Sequence, residues 1–428
     1  MTTTLFRAQV FHTPDDPFSH EDALETWDDG AVAVAAGSVL AIGDYHELRR
    51  SYPDSEVADR RDAMLLPGLV DAHVHYPQLP VVGAMGLRLL EWLDLRTLPE
   101  EARLAEPGYA RSRAKEFLRA LARNGTTSAL VFGAHFSPAM EAFFEEAESS
   151  HLRISAGLVV SDRELRGDLH VDPETAYRES RSLADRWHGR GRLRYAVTPR
   201  FALSCSDAML EACGALASEI DGLLVTSHLN ESPAEIAVVA DLFPWSESYL
   251  ETYERHGLVG QRSVYAHNVH PLEGELDTLA AARASVCHCP SSNMFLGSGL
   301  FPMRRHLAHG VGLALGSDVG AGTGPGVLKE GLAAYQGQML HDQGVPLAAA
   351  HLLYLATAAG AKALDLPRVG WFAPGMEFDA VLLRPPQGST LEEVWRHSPS
   401  AEASLAAAFT LAREESVSEV YVAGERVL

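Results

Sequence analysis

Short apolar runs that alternate with helical stretches are the main pattern of the chain from Leu65 to Gly320. The stretches between the runs, such as ARSRAKEFLRALARNG and DAMLEACGALASEI, repeat apolar residues at helical spacing. Strand–helix units in series predict an α/β fold, a (β/α)8 TIM-like barrel whose polar chemistry collects where the strands end. The predicted strands are LLPGLVDAHVH, TTSALVFGAH, RISAGLVV, LRYAVTPRF, GLLVTSHLNE, SVYAHNVH, ASVCHCPSS and GVGLALGSDVG.

The two ends of the chain have a different pattern, in which single apolar and polar residues alternate between turn signals. Near the start this pattern appears in VFHTPD, AVAVAAGSVLAIGD and SEVADRRD, and near the end in EFDAVLLRPP and SEVYVAGERVL. Such alternation is typical of half-buried strands. We therefore expect residues 1–64 and 369–428 to combine into a small β-sandwich domain beside a barrel that spans residues 65–368.

A long connection separates the first two predicted barrel strands. Its sequence is YPQLPVVGAMGLRLLEWLDLRTLPEEARL, and it starts at the strand end where the chemistry of a barrel is found. Loops of this length are commonly functional. Two interpretations remain open, since the connection could close over a ligand or pack against the β domain.

The charge of the chain narrows the kinds of partner it can have. The formal net charge is -22 over 428 residues, and such a negative protein repels phosphate backbones and anionic bilayers. The beginning of the sequence shows no basic and apolar targeting pattern, and no apolar run approaches the length of a membrane span. We expect a cytoplasmic protein that acts on a small molecule, without nucleic acid or membrane partners.

The cysteines point to a reducing compartment and carry no metal site of their own. Four cysteines are too few for a disulfide framework in a chain of this length. Cys287, His288 and Cys289 look like half of a metal site, but no second cysteine pair completes it. We interpret this segment as an apolar strand end.

Histidines and an aspartate at the ends of several strands form a candidate metal site. In D-A-H-V-H, the side chains of Asp71, His73 and His75 share one face of the strand, because alternate residues of a strand point the same way. Three separate strand ends supply further candidates, and a set rich in imidazole with one carboxylate suits zinc or iron(II). These candidates are His228, His267 and Asp318.

The order of these residues, with H-x-H on strand one, His on strands five and six and Asp on strand eight, resembles the amidohydrolase superfamily. Two-metal members use a carboxylated lysine or a glutamate as a bridging ligand. Lys115, Lys329 and Lys362 lie in helical segments, and the fourth strand ends in TPRF without a carboxylate. The resemblance therefore implies a single metal ion.

Longer motifs resemble the guanine deaminases within this superfamily. They are PGLVDAHVHYPQ, LLEWLDLRTLPEE, TPRFA, SHLNES, DLFPWSESYLETYERHGLV, HCPSSNMFLGSGLF and GSDVGAG. The resemblance implies hydrolysis of guanine to xanthine and ammonia by a homodimer with one Zn²⁺ per chain, or Fe²⁺ in its place. It implies His73, His75, His228 and Asp318 as metal ligands, Glu231 as catalytic acid, and Gln78, Arg200 and Phe201 as purine contacts, with His75, His228, Glu231 and Asp318 also bordering the substrate.

The chemistry of the residue types agrees with these roles. Asp318 can accept a proton from water, Glu231 can protonate the ring and the leaving amine, and His267 can orient the nucleophile. Arginine has only donors, so Arg200 suits an acceptor such as O6 of guanine rather than the amino group of adenine. Gln78 can donate and accept along the same edge, and Phe201 can stack on a flat ring.

Several positions depart from the usual guanine deaminase pattern and leave related substrates open. The segment from Asp94 to Pro99, the strand end from Phe132 to His135, and Asn230 and Ser232 beside Glu231 differ from it. The alternative is an aminohydrolase acting on 8-oxoguanine, a pterin or a triazine. A non-catalytic amidohydrolase-like scaffold is weaker, because the complete ligand set and Glu231 are present. A phosphate-binding barrel isomerase is weaker because the loop after the eighth strand carries Asp318, where a phosphate would need backbone amides and no acid. Chemistry of the cytidine deaminase type is set aside, because its P-C-x-x-C and H-x-E motifs are not found.

Overall fold

A computed structural model describes residues 3–428 of the chain. Within that range the strands form two sheets, one of them a barrel. The strands are β1 (Thr4–His12), β2 (Glu25–Ala35), β3 (Ser38–Asp44), β4 (Glu56–Pro67), β5 (Leu69–His75), β6 (Thr126–Phe132), β7 (Arg153–Gly157), β8 (Val159–Val160), β9 (Leu193–Pro199), β10 (Leu224–Leu229), β11 (Ser263–His267), β12 (Ser285–His288), β13 (Gly312–Leu315), β14 (Ala380–Leu383), β15 (Val417–Val422) and β16 (Glu425–Arg426).

The helices fill the connections between the barrel strands and part of the C-terminal segment. Over residues 3–428, no helix combines the length and the apolar character that crossing a bilayer requires. The α-helices are α1 (Tyr45–Ser51), α2 (Leu89–Trp92), α3 (Leu98–Ala102), α4 (Pro107–Arg123), α5 (Ser137–Ser150), α6 (Pro173–Trp187), α7 (Asp207–Glu219), α8 (Pro233–Leu242), α9 (Tyr249–Glu254), α10 (Glu273–Ala282), α11 (Pro290–Phe295), α12 (Met303–His309), α13 (Val327–Leu340), α14 (Ala349–Ala356), α15 (Ala358–Ala363), α16 (Thr390–Arg396) and α17 (Ala401–Leu411).

The barrel is the parallel (β/α)8 arrangement that the apolar runs predict, so that prediction is confirmed. Its strands follow the order β5, β6, β7, β9, β10, β11, β12 and β13. The circle closes between the first and last strands, where the Asp318 N–H donates to the His73 carbonyl at 2.9 Å and the His75 N–H donates to the Val319 carbonyl at 3.2 Å. Closure therefore takes place at the candidate metal ligands themselves.

The third predicted strand, RISAGLVV, is interrupted in the structure. Strand β7 ends at Gly157 and β8 continues from Val159, because the Leu158 N–H donates to the Tyr195 side-chain hydroxyl at 3.2 Å instead of to the backbone of the neighbouring strand β9. Gly157 is required here, since a Cβ at this position would come within 1.8 Å of the Ala196 carbonyl oxygen. The interruption lets the backbones of β7 and β9 approach closely.

Both chain ends contribute to one seven-stranded sheet, ordered β16, β15, β14, β4, β1, β2 and β3. The N–H of Val39 on β3 donates to the Met376 carbonyl just before β14 at 2.8 Å, so the sheet curls back on itself. Its interior holds an aromatic cluster, in which the rings of Phe6 and Phe378 lie 4.6 Å apart. The predicted pairing of the two chain ends is confirmed. In place of two separate sheets packed as a sandwich, the structure has one sheet that curls on itself. The boundaries 1–64, 65–368 and 369–428 stay a prediction.

The C-terminal segment is not entirely β structure, which the alternating pattern alone did not indicate. Helices α16 and α17 lie between β14 and β15, and α17 packs against α13 and α14 of the barrel. Phe409 of α17 fits over Gly331, where a Cβ would come within 2.7 Å of the Phe409 ring. The run SLAAAFTL repeats apolar residues at helical spacing, and these residues form the buried face of α17.

A buried ion pair joins the barrel to the curled sheet. Arg153, at the start of β7, donates from Nε to Asp379 Oδ2 at 2.6 Å and from Nη2 to Asp379 Oδ1 at 2.9 Å, and it also contacts Glu377. Burial raises the pKa of the Asp379 carboxyl despite the hydrogen bonds from Arg153. The ionised form of the buried Asp379 carboxylate is therefore stabilised by Arg153.

Substitution Arg153→Met is expected to lower the free energy of unfolding by about 3 kcal/mol, because it leaves the buried Asp379 carboxylate without a cationic partner. Urea denaturation monitored by tryptophan fluorescence measures this change. Arg368→Met is the matched control, since Arg368 also pairs with Glu377 but is exposed, and exposed pairs contribute less than about 1 kcal/mol. Equal losses in the two variants would contradict the assigned role of Arg153.

Candidate functional site

Four predicted ligands meet at the carboxyl end of the barrel. His73 and His75 end β5, His228 lies near the end of β10, and Asp318 follows β13. One potential ligand atom from each residue lies within 4.8 Å of all the others, and all four side chains are buried. The Nε2 atoms of His73 and His75 lie 3.1 Å apart, and those of His75 and His228 lie 3.3 Å apart. The structure thus brings together residues that are up to 245 positions apart in the sequence, as the span from His73 to Asp318 shows.

Hydrogen bonds orient these side chains toward a common point. His228 donates from Nδ1 to the Arg200 carbonyl at 2.6 Å, which leaves a lone pair on its Nε2 atom. Asp71, predicted to share the face of His73, is fully buried below the cluster. It accepts hydrogen bonds from the Ser317 N–H at 2.9 Å and from the Ser317 hydroxyl. Asp71 thereby fixes the segment that carries Asp318.

The protonation states suit a cation. Burial lowers the pKa of His73, lowers that of His75 to about 4, and places that of His228 well below its usual value, so the rings are neutral. Burial acts to raise the pKa of Asp318, but the contacts with His73 and His75 outweigh it and hold this pKa well below the usual range. Three neutral imidazoles and one carboxylate form a donor set that zinc accepts.

The converging imidazole nitrogens also need a partner that protein groups do not supply. Neutral imidazole nitrogens that face one another at 3.1 to 3.3 Å cannot all act as acceptors without an electrophile between them. His267 Nε2 is buried beside them and has no hydrogen-bond partner within residues 3–428. The residues present therefore fit a divalent metal ion.

Glu231 and His267 lie next to this cluster without joining it. Glu231 Oε2 is 3.5 Å from His267 Nε2, and His267 Nε2 is 3.8 Å from Asp318 Oδ2. Ser298 donates to Glu231 Oε1 at 3.1 Å, while the other ring nitrogen of His267 pairs with Asn293 Oδ1 at 2.9 Å. Burial, followed by the charge of Asp318, raises the pKa of Glu231 to about 8. Burial therefore favours the protonated form of Glu231.

Left-handed backbone conformations also occur at residues around the site. His267 has φ of 73°, Asp318 has φ of 45° and Asn230 has φ of 48°, all in the left-handed region that favours glycine. Such conformations cost about 1–3 kcal/mol each and persist where the surrounding structure enforces them. Because these conformations cost stability, they support a functional role for the positions of these side chains.

His75, His228 and Asp318 form the floor of a narrow cavity at the carboxyl end of the barrel. The long connection after β5 covers this cavity with Leu89, Trp92 and Leu93, from α2 and the π-helical turn Leu93–Thr97. Of the two interpretations of the connection, the structure shows the one in which it covers the site. A mostly apolar roof over a polar floor suits a flat heterocycle.

The three predicted purine contacts all line this cavity. Arg200 follows β9 and is 3% exposed, and its guanidinium carbon lies 5.3 Å from the centre of the Phe201 ring. Gln78 accepts from the Gly320 N–H at 3.2 Å. The structure places all three residues against the same space, and their contacts with a substrate stay a prediction.

Sequence reasoning missed the groups that hold these contacts in place. Glu101 of α3 accepts hydrogen bonds from Gln78 at 2.8 Å and from Arg200 at 3.1 Å, and it contacts His135 Nε2 at 3.1 Å. Asn293 and Ser298, which position His267 and Glu231, were also missed. Glu101 stands in an acidic run on the connection, and no local pattern distinguishes it from its neighbour Glu100.

The cysteines play the part expected of them. All four are free and buried, and Cys287 and Cys289 occupy the end of β12 as predicted. Cys289 lies close enough to His73 and His267 for the three to form a second group of potential ligands. This group shares His73 with the main cluster and lacks a carboxylate, so the main cluster is the better fit for a catalytic metal.

Comparisons with known proteins agree with this geometry. The amidohydrolase family matches residues 64–427, and the imidazolonepropionase-like composite domain of bacteria matches residues 30–54. A probable guanine deaminase of Deinococcus radiodurans is 56% identical over 427 residues, covering 98% of this chain and 97% of the relative.

Two solved guanine deaminases share the whole fold. The structure of the Escherichia coli guanine deaminase has a TM-score of 0.94 and 37% identity, covering 100% of this chain and 99% of that one. The structure of guanine deaminase from C. acetobutylicum, with guanine bound in its active site, has a TM-score of 0.92 and 26% identity, and the match covers 100% of each chain.

Proposed function

Because this chain belongs to the amidohydrolase family, we propose that its buried cavity is the active site of a guanine deaminase. The enzyme hydrolyses guanine to xanthine and ammonia. The observation that carries this function is the convergence of His73, His75, His228 and Asp318 under a cavity lined by Glu231 and Arg200. Full-length identity of 56% to a probable guanine deaminase supports the choice of substrate.

Zn²⁺ is the cofactor that the donor set supports best, with one ion per chain held by His73, His75, His228 and Asp318. Three imidazoles and one carboxylate are typical zinc ligands, although Fe²⁺ accepts the same donors. A bound divalent ion lowers the pKa of water toward about 7 and so supplies a nucleophile at neutral pH.

The side chains of the chain itself move the protons. Ionised Asp318 accepts a proton from the attacking water, and protonated Glu231 donates to the ring nitrogen beside C2 as the C–O bond forms. The C–N bond then breaks as the amine takes the proton from Asp318 and leaves as ammonia. Glu231 recovers its proton from the C2 hydroxyl, which becomes the C2 carbonyl of xanthine. His267 faces both carboxylates and holds the nucleophile in line.

Recognition of guanine rests on the residues at the far side of the cavity. Arg200 presents only donors and suits the O6 oxygen of guanine, where adenine has an amino group. Gln78 pairs along the same edge, and Phe201 offers an apolar face to the ring. The roof formed by Leu89, Trp92 and Leu93 excludes water from this site.

Incubation of the purified protein with guanine is expected to yield xanthine and ammonia in equal amounts. Chromatography of the bases and an enzymatic ammonia assay measure the two products. The kcat/KM values for 8-oxoguanine, a pterin and an aminotriazine are expected to be lower than that for guanine. If one of these compounds has a higher kcat/KM than guanine, that compound and not guanine is the preferred substrate.

We also propose that the enzyme is a homodimer in a reducing compartment such as the cytoplasm. Helix α13 exposes Tyr335, Met339 and Leu340, the last two by 63% and 72%, and exposed apolar side chains grouped in this way favour a second copy. The four free cysteines suit a reducing environment. Light scattering coupled to size exclusion decides the number of chains.

A further inference from the structure

Glu101 is a fully buried carboxylate that makes contacts with three side chains at the active site. Its Oε1 atom accepts from Gln78 Nε2 at 2.8 Å and from Arg200 Nη2 at 3.1 Å, while its Oε2 atom lies 3.1 Å from His135 Nε2. Glu101 is absent from the lining of the cavity, whereas Gln78 and Arg200 both line it. Its influence on a substrate must therefore act through those two residues.

The Gln78 amide can adopt only one orientation in this network. A carboxylate can only accept hydrogen bonds and a backbone N–H can only donate, so Gln78 must turn its nitrogen to Glu101 and its oxygen to Gly320. One N–H and one lone pair of the amide then remain for a ligand. Without the negative charge of Glu101, the amide could rotate by half a turn and exchange its donor and acceptor.

Arg200 is constrained by the same carboxylate. A guanidinium group carries five donors, and the bond to Glu101 uses one of them and restricts the plane of the group. The backbone of Arg200 is also fixed, because its N–H donates to the Val160 carbonyl at 3.1 Å and its carbonyl accepts from His228. The remaining donors are consequently held in one direction at little entropic cost.

The charge on Glu101 is stable despite its burial. Burial acts to raise the pKa of this carboxyl, but the charge of Arg200 and the hydrogen bond from His135 outweigh burial and lower the pKa below its ordinary value. His135 is in turn near Ser161, whose hydroxyl donates to the Leu169 carbonyl at 3.2 Å. Arg200 and His135 therefore favour the ionised, hydrogen-bond-accepting form of Glu101.

We infer that Glu101 is the positioning residue that fixes substrate specificity, by holding Gln78 and Arg200 in the orientations that match the O6 edge of guanine. This inference rests on the proposed function. Glu101 belongs to α3, which is part of the connection that roofs the cavity. Correct reading of the purine edge thus depends on the roof segment being docked against the barrel.

Substitution Glu101→Gln is expected to lower kcat/KM for guanine by roughly 10- to 100-fold, the effect of losing a hydrogen bond to a charged group. The loss is expected mainly in KM, since neither the proton-transfer groups nor the metal ligands contact Glu101. For 2-aminopurine, which has the same leaving amine but no oxygen at C6, the expected loss is at most threefold. The ratio of the two kcat/KM values therefore falls, whereas general damage to the fold would lower both values alike.

Glu100→Gln is the matched control. Glu100 is a buried carboxylate next to Glu101 in the sequence, but it accepts from Tyr109 and Arg103, away from the cavity. This variant is expected to keep the wild-type ratio of guanine to 2-aminopurine. Glu101→Asp, which retains the charge, is expected to recover part of the ratio lost in Glu101→Gln.

An unchanged ratio in Glu101→Gln would overturn the inference. If that variant does not accumulate as folded protein, Glu101→Asp takes its place, with a reduced ratio expected and a wild-type ratio overturning the inference. Measurement of guanine turnover by the wild type separates the test of Glu101 from the test of the proposed function. Absence of guanine turnover by the wild type contradicts the proposed function, whereas turnover with an unchanged ratio in the variants contradicts only the role of Glu101.

Discussion

Substitution Glu231→Gln is expected to lower kcat for guanine by about 10²–10⁴-fold, the usual contribution of a general acid or base. Glutamine has nearly the same shape and can still accept the hydrogen bond from Ser298, but it has no proton to give. Because Glu231 lies outside the four converging ligands, metal content is expected to remain at the wild-type level. Steady-state kinetics and elemental analysis of the same preparation test both statements.

Glu330→Gln provides the control for this experiment. Glu330 is also fully buried with a pKa raised by burial to about 8, and it accepts hydrogen bonds from Ser291, but it does not line the cavity. Its replacement is expected to change kcat by no more than about threefold. Wild-type turnover in Glu231→Gln would remove Glu231 from the mechanism.

The candidate metal ligands could be recognised in the sequence because their pattern is local. His73 and His75 alternate along one strand, and His228 and Asp318 each follow an apolar run that could be recognised as a strand. Once such runs are assigned to a barrel, their ends must meet, because parallel strands all present their carboxyl ends at the same rim. Periodicity and topology therefore predict which strand-end side chains converge, whereas the choice of His73, His75, His228 and Asp318 among them came from the resemblance to the guanine deaminases.

Glu101 and His135 could not be assigned their roles in this way. Their contacts join a helix of the connection to the ends of β6 and β9, and only tertiary packing decides which carboxylate of the pair Glu100 and Glu101 faces inward. The curl of the accessory sheet was missed for the same reason, because it depends on which surfaces meet and not on the pattern of a single segment. Helix α17 was missed although its run SLAAAFTL has helical spacing.

Removal of the metal ion is expected to cause the largest loss of activity. Dialysis against a chelator should lower the activity by more than about 10³-fold, because without a cation the pKa of water returns from about 7 to 15.7 and no nucleophile is available at neutral pH. Addition of Zn²⁺ to the metal-free protein should restore turnover, and parallel addition of Fe²⁺ shows which ion supports the higher rate. Elemental analysis is expected to find about one equivalent per chain.

The variant His228→Ala tests the same site without a chelator. It removes one of three imidazoles whose Nε2 atoms converge, so metal content and activity should fall together and added Zn²⁺ should restore neither fully. His309→Ala is the control, since His309 pairs with Glu273 and Asp277 at the surface and should keep both values. Full activity in metal-free protein would contradict metal-dependent hydrolysis, because the four buried ligands would then have no part in generating the nucleophile.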